Sequence, residues 1–391
     1  MNQGKYIFAQ ITEFITQHEF DQCVNQYQGN NKIRKFTCRD QFLAMLFGQL
    51  TNLKSLTGIV LCLNAHREKL YHLGFRIKKL TLSTLTRANE NRDYKIYLDL
   101  TALLISKARK LYNDDNDFSL DIAGSVYALD STVIDLCFSM FKWAYFELGK
   151  SAVKIHTQLD LKGNIPSFFL ITKAKTHDIN FLDILEFEAD AFYIMDRGYF
   201  DFERLFKINS AKAFFVIRAK KSISWKRVYS GEVDKATGLR CDQIIKLKHF
   251  YSKKHYPEKL RRVKYYDAET NRYYVYLTNN FELDAKVIAD LYKHRWQIEL
   301  FFKWIKQHLH IEVFWGHSAN AVKTQICIAI CSFLLVAILK KELKIERDLY
   351  EILQILSVSQ FEKIPINTLV SESDLQIFSD QVQKQACLLD F

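Results

Sequence analysis

The sequence predicts an α/β fold built on a mixed sheet flanked by helices, with a β-rich insertion and an N-terminal helical domain. Three observations predict it. Over residues 5–115 apolar residues recur at three- and four-residue intervals, the spacing of helices that bury one face. From about residue 121 the pattern changes to short apolar runs in the order strand, hairpin pair, helix, strand, helix, strand, which an all-parallel doubly wound sheet would not show. Between Arg218 and Arg272, 16 Lys/Arg stand against 6 Asp/Glu, so a net +10 of the chain's +11 sits in one stretch of alternating strand-like and polar segments.

A length of 391 residues predicts two or three domains with ample core, and 49% apolar with 25% charged residues is ordinary for a globular protein. Only 3 Pro and 12 Gly argue against long disordered linkers. A uniformly basic surface can serve solubility alone, but a concentrated basic block reads as a phosphate-binding surface and hence a polyanionic partner.

Residues 1–74 read as a helical domain. The segment 75–120 follows, opening Phe75-Arg-Ile-Lys-Lys-Leu-Thr-Leu-Ser-Thr-Leu-Thr-Arg-Ala-Asn-Glu-Asn-Arg92. Ser83 reads as an N-cap, and the helix after it would carry Thr86, Arg87, Asn89, Asn91 and Arg92. Polar side chains so placed can reach bases or phosphates as in a helix-turn-helix, or form a plain solvated face. Arg87 and Arg92 are the candidate DNA contacts.

Residues 121–217 begin the mixed-sheet core. Ser125–Asp130 is a short apolar run ending in an acid. Lys154–Asp160 and Ser167–Thr172 pair through the turn Lys162-Gly-Asn164, and Leu182–Phe187 is expected to be helical. Ala191–Asp196 is a second apolar run ending in an acid, followed by a helix over Asp201–Ile208 and a strand over Ala213–Ile217. Residues 218–275 are the basic insertion; lying between two core elements, its strands need no place in the main sheet. Residues 276–345 complete the core with a helix bearing Glu299 and an apolar helix over 319–345, and 346–391 form a weakly patterned segment expected to be helical.

The eight cysteines show no Cys-x2-Cys pair, and Cys327 with Cys331, four residues apart in an apolar helix, read as core. No charged-then-apolar leader opens the chain, and the apolar run from Ile326 to Leu339 is too short to cross a bilayer, so no membrane role is expected. The expected setting is the reducing cytoplasm, with the protein at the nucleoid.

The chemistry converges on three acids. Tyr292, Arg295, Glu299 and Lys306 fall within an arc of roughly 60° if one helix carries them all, beside an apolar stripe of Leu291, Ile298, Phe301, Phe302, Ile305 and Leu309. A carboxylate flanked by cations suits a metal ion and a phosphate together, although Arg and Glu at this spacing also form plain surface pairs. Singly, Asp130 before Ser-Thr and Asp196 before Arg-Gly read as turn residues. Jointly, two acids at the ends of buried strands and Glu299 make a three-carboxylate cage able to hold two Mg²⁺ for phosphoryl transfer.

Leu129-Asp-Ser-Thr132, Met195-Asp-Arg-Gly-Tyr199 and the Tyr292/Arg295/Glu299/Lys306 signature resemble the DDE transposases of bacterial insertion sequences, in particular insertion-sequence family four. The likeness runs from the N-terminal helices to about residue 365, with Phe361-Glu-Lys-Ile-Pro365 similar to that family's C-terminal segment. It implies a ribonuclease H-like core interrupted by a β-rich insertion between the second Asp and the Glu. It implies that Asp130, Asp196 and Glu299 are catalytic metal ligands for two Mg²⁺, with Mn²⁺ able to substitute. Tyr292, Arg295 and Lys306 would grip the transposon end.

The implied partners are the inverted-repeat ends and target DNA, bound by a homodimer that cleaves phosphodiesters and joins 3′ ends to the target. Family members that excise through a DNA hairpin stack a flipped base on an insertion aromatic, and Trp225 is the one Trp in this block. Two other readings stay open: a transposase-derived DNA-binding protein that no longer cuts, and a Mg²⁺-dependent nuclease without strand transfer.

Overall fold

A computed structural model describes residues 4–112 and 118–370. The chain divides into two compact units, one of residues 1–111 with 304–391 and the other of residues 112–303.

The first unit is helical. It opens with α1 (Ile7–Thr12), α2 (Gln17–Gln26), α3 (Cys38–Leu50), α4 (Leu56–Ala65), α5 (Leu82–Asn91) and α6 (Lys95–Tyr112). Capping boxes start α2, with Thr16 and Glu19, and α3, with Thr37 and Asp40, so each helix begins where its first free N–H groups find side-chain acceptors. α5 starts two residues earlier than the sequence suggested: Thr81 rather than Ser83 is the N-cap, its hydroxyl accepting from Thr84 N.

The second unit carries β1 (Val126–Leu136), β2 (Tyr145–Glu147), β3 (Lys150–Asp160), β4 (Ile165–Lys173), β5 (Phe192–Met195), α7 (Phe202–Ser210) and β6 (Phe214–Arg218). It continues with β7 (Trp225–Gly231), β8 (Leu239–Leu247), α8 (Phe250–His255), β9 (Leu260–Asp267), β10 (Arg272–Thr278) and α9 (Ala285–His294). α10 (Trp296–His308) runs past the unit's end, and α11 (Ala319–Glu342), α12 (Leu349–Ser359) and α13 (Ile366–Val370) belong to the first unit. The part of the expected C-terminal helical segment beyond residue 370 lies outside the described residues.

α11 is long and apolar enough by composition to cross a membrane, but 94% of its most apolar window is buried. It packs against α1, α3, α5 and α12 as the central helix of its unit.

In the second unit β4, β3 and β1 pair antiparallel, and β1, β5 and β6 pair parallel, giving the order β4-β3-β1-β5-β6. This is the ribonuclease H-like arrangement, a mixed sheet flanked by helices. The β3–β4 hairpin turns through Asn164 at φ 53°, a left-handed conformation that Asn tolerates.

Three details differ from the sequence reading. β1 does not stop at Asp130 but continues to Leu136, because Thr132, Ile134 and Leu136 alternate inward with exposed Val133 and Asp135. The helix expected over Leu182–Phe187 is a short 3-10 helix over Asp178–Asp183, started by His177, whose side chain accepts from Ile179 N. The third difference is larger. β10 pairs antiparallel with β6, Tyr276 opposite Arg218, and β9, β8 and β7 extend the same sheet outward. Ile245, Leu247, Tyr256 and Leu260 of the insertion share one core with Tyr127, Leu129 and Tyr193. The insertion is thus a lateral continuation of the core sheet.

Candidate active site

Buried Val126, Tyr127, Ala128 and Leu129 drive β1 into the centre of the sheet, and Phe192–Met195 do the same for β5. The two strands run parallel with Leu129 opposite Met195, so the next residues, Asp130 and Asp196, emerge side by side. Residues at the carboxyl ends of parallel strands border the crevice where α/β sheets build sites. Asp130 accepts from Ser131 N at 2.8 Å, and Asp196 accepts from Gly198 N at 2.8 Å. A Cβ at Gly198 would stand 2.9 Å from Asp196 Oδ1, so any larger residue there must shift that carboxylate.

Glu299 lies in the first turn of α10. The single helix expected for Tyr292 to Lys306 is in fact two, α9 and α10, joined at Arg295. The junction is tightened by three-residue hydrogen bonds, Arg295 N to Tyr292 O at 3.2 Å and Ile298 N to Arg295 O at 3.1 Å. No Pro or Gly marks this break in the sequence. Arg295 Nη1 donates to Asp130 Oδ2 at 2.8 Å, and its Nη2 donates to Glu299 Oε1. One guanidinium therefore ties β1, just past the end of its parallel pairing with β5, to the first turn of α10.

The electrostatics place the three acids in one field. Burial pushes the Asp130 carboxyl up to about 6, the nearby Asp196 and Glu299 carboxylates add to the rise, and Arg295 and Ser131 N oppose it. Arg295 is lowered by burial, but Tyr292, Asp130 and Glu299 outweigh that and leave it raised. Among the described residues no group of three or more His, Cys, Asp or Glu is spaced to hold a metal ion as placed. Three carboxylates are nevertheless the donor chemistry that a hard divalent cation takes, and Arg295 is seated between two of them, Asp130 and Glu299.

Around this centre lie groups that the sequence reading missed. Tyr199 is 1% exposed, and its hydroxyl has no hydrogen-bond partner among the described residues. Burial and the carboxylates of Asp130, Asp178 and Asp196 hold that hydroxyl well above its usual range. Ser131 Oγ donates to Asp178 Oδ1 at 2.7 Å, and Lys154 Nζ donates to the same oxygen at 2.9 Å. Tyr292 packs against Tyr276 with ring centroids 4.6 Å apart, Tyr276 stacks on Tyr274, and the Arg218 guanidinium lies 4.8 Å over the Tyr274 ring. The only sequence signal for this ladder was the Tyr-rich run Tyr273–Tyr276 at the rim of the basic block.

Lys306 lies on α10 within the segment grouped with the first unit. Arg87 is exposed on α5, its Nε donating to Ser83 O at 3.3 Å. Arg92 is corrected: it is 8% exposed and donates to Thr37 O at 2.7 Å, to Gln41 Oε1 at 3.0 Å and to Phe36 O. Buried acceptors take up its guanidinium, so it is a structural anchor rather than a DNA contact. Asn89 is likewise buried, its Oδ1 accepting from Gln41 Nε2 at 2.7 Å.

Comparison with known proteins bears directly on this centre. A family model described as "Transposase DDE domain" matches residues 122–335, and a second, described as a domain of unknown function, matches residues 3–76. A candidate transposase of Sinorhizobium fredii is 33% identical over 260 residues, covering 65% of this chain and 70% of the relative. A candidate transposase for insertion sequence element IS5377 of Geobacillus stearothermophilus is 28% identical over 295 residues, covering 72% of this chain and 75% of the relative. A solved piggyBac transposase synaptic complex with hairpin DNA is similar at a TM-score of 0.44 and 10% identity, covering 95% of this chain and 84% of that one.

Proposed function

Because the chain belongs to the DDE transposase family of bacterial insertion sequences, we propose that it binds the inverted-repeat ends of its element, cleaves phosphodiester bonds there and joins the 3′ ends to target DNA. The observation that carries this reading is the register of β1 against β5, which sets Asp130 beside Asp196, together with Arg295, which links Asp130 to Glu299. Asp130, Asp196 and Glu299 would hold two Mg²⁺, or Mn²⁺ in their place. Bound there, such ions would supply a lowered pKa for the attacking oxygen and charge stabilisation for the leaving one.

The protein's own groups do the rest. With Asp130 raised to about 6 and Arg295 between two carboxylates, the acids are held together without mutual expulsion. Exchanging Arg295's carboxylate partners for a DNA phosphate is chemically easy, because a guanidinium binds either bidentately. Tyr292, Arg295 and Lys306 would thus grip the transposon end near the cleaved strand. Water and a DNA 3′ hydroxyl serve as interchangeable nucleophiles, so no covalent protein–DNA intermediate is needed. The protein would act at the nucleoid in the cytoplasm, as a homodimer that pairs two ends.

The deciding experiment incubates the full chain with its own element's end DNA, a target plasmid and Mg²⁺, and follows cleaved and joined products. Joined products support the proposal. Cleavage without joining assigns a nuclease, and binding without cleavage a DNA-binding derivative.

A further inference from the structure

Tyr199 is a buried polar group beside the three acids that the proposed chemistry leaves unused. Asp196 caps the 3-10 turn Arg197–Tyr199, accepting from Gly198 N at 2.8 Å, and Tyr199 N donates to Asp196 O at 3.4 Å. A turn this tight brings the chain from the second acid straight back to the sheet. Tyr199 belongs to the core that holds Tyr127 and Leu129 of β1, Met195 of β5 and Phe181 of the 3-10 helix after β4. It is 1% exposed, and its hydroxyl has no hydrogen-bond partner among the described residues.

An orphaned hydroxyl is not by itself a functional group. Tyr256 has one in the same core and is also 1% exposed. The surroundings set the two apart. Burial first, then the carboxylates of Asp130, Asp178 and Asp196, keep the proton on the Tyr199 hydroxyl, and Arg295 opposes them. On Tyr256, burial acts with Glu258, which is not one of the site's acids. Each hydroxyl is therefore a neutral donor, but only that of Tyr199 stands in the field of the three-carboxylate site. Burying a donor without an acceptor costs stability that Phe, with the same ring, would not lose. At Tyr199 the cost is offset if an acid of the site takes the hydrogen bond during the reaction.

The acids differ in how they are already supplied. Asp178 Oδ1 accepts from Ser131 Oγ at 2.7 Å and from Lys154 Nζ at 2.9 Å, and no proposed step disturbs either donor. Asp130, the acid that acts most strongly on the Tyr199 hydroxyl, accepts from Ser131 N at Oδ1 and from Arg295 Nη1 at Oδ2, each at 2.8 Å. Arg295 is the donor that a DNA phosphate or an entering cation would draw away. Asp130 would then keep Ser131 N alone among the described residues. A ligating carboxylate is held in orientation by hydrogen bonds from outside the metal site. We infer that Tyr199 is a positioning residue whose hydroxyl replaces Arg295 as donor to Asp130 and keeps that carboxylate in one orientation. The inference rests on the proposed three-carboxylate chemistry.

The test compares wild type, Tyr199→Phe and Tyr256→Phe as full chains. Thermal melts are followed across a Mn²⁺ titration without DNA, and cleavage of the element's end DNA is followed at saturating DNA with Mg²⁺. Without metal, both Phe variants should melt at or above the wild-type temperature, since each loses an orphaned hydroxyl. Tyr199→Phe should need about tenfold more Mn²⁺ for half of its melting shift, the scale on which such outer hydrogen bonds act. Its cleavage rate at saturating DNA should fall about tenfold, with the DNA dissociation constant unchanged. Tyr256→Phe should match wild type in both. A Tyr199→Phe chain with wild-type Mn²⁺ dependence overturns the inference, and so does a Tyr256→Phe chain that shifts as far. A wild type whose melt ignores Mn²⁺ overturns the metal-site reading and this role with it. A wild type that binds Mn²⁺, shows the Phe shift and never cuts DNA keeps Tyr199 in its role and loses the DNA-joining reading.

Discussion

At the residue scale, the three acids were legible because each stands at a recognisable place: two at the ends of apolar runs, one in a charged helical signature. Asp130→Asn, Asp196→Asn and Glu299→Gln are each expected to abolish cleavage of end DNA while leaving duplex affinity within a few-fold. Activity above a few per cent of wild type in any one variant would remove that residue from the cage. Arg92 was not legible, because its partners are carbonyls of Phe36 and Thr37, more than fifty positions away, and a basic residue in a polar helix gives no sign of such acceptors. His156 was likewise unremarkable in the sequence. It is 1% exposed on β3, and burial pulls it down to about 4 from 6.5, only partly opposed by Asp178 at 3.7 Å. Its stabilising neutrality is fully present above pH 6.5 and is lost as pH falls toward 4, since the unfolded chain takes up the proton first. The loss amounts to about 3 kcal/mol on the scale of 1.36 kcal/mol per unit. Urea unfolding at neutral pH and near pH 4.5 should therefore show a steeper decline for wild type than for His156→Gln, and parallel declines would exclude His156 as the titrating group.

At the element scale, the strands and helices that form the core were largely readable, and the exceptions share a cause. β1 past Asp130 alternates inward and outward, so it hides from any search for continuous apolar runs. The α9–α10 break has no Pro or Gly to mark it, and Asp130, which Arg295 meets at the junction, lies 165 positions away. The insertion was recognised by charge, but its attachment was not, because edge pairing between β6 and β10 leaves no mark in either strand's composition. This changes what its removal should do. Deleting residues 222–271 strips β10 of its outer neighbour β9, removes β8 and β7 beyond it, and takes Ile245, Leu247, Tyr256 and Leu260 out of the shared core. The deleted chain is expected to aggregate or melt far below wild type, as a hydrophobic core with large cavities and a bare sheet edge must. Charge removal without deletion is the cleaner perturbation. Arg227→Gln with Lys246→Gln, both on outer strands, should keep the melting temperature and lower nonspecific DNA affinity; circular dichroism and a salt titration check the two parts.

At the scale of the whole molecule, the chain builds its sheet and its helical unit from different stretches. The carboxylates, Arg295 and the basic block of residues 218–275 all lie in residues 112–303, whereas the helical unit is built from both ends of the chain. The mixed sheet, its insertion and the helical N-terminal region were predictable from periodicity, since each imposes its own spacing over many residues. Which side chains of the helical region face outward was not, because α3 and α11 are apolar on nearly every face and give no stripe to orient by. If holding DNA and cutting it are separate properties, a chain that holds but cannot cut should occupy ends that the wild type needs. Co-expression of Glu299→Gln with the wild type is therefore expected to suppress excision of a marked element several-fold. Adding Arg227→Gln and Lys246→Gln to the Glu299→Gln chain should relieve part of that suppression, because the inactive competitor then holds DNA more weakly while its fold and any pairing with wild-type chains remain. Suppression that persists undiminished would mean that the inactive chain poisons mixed dimers rather than competing for DNA, and the charge of the insertion would then have no part in the inhibition.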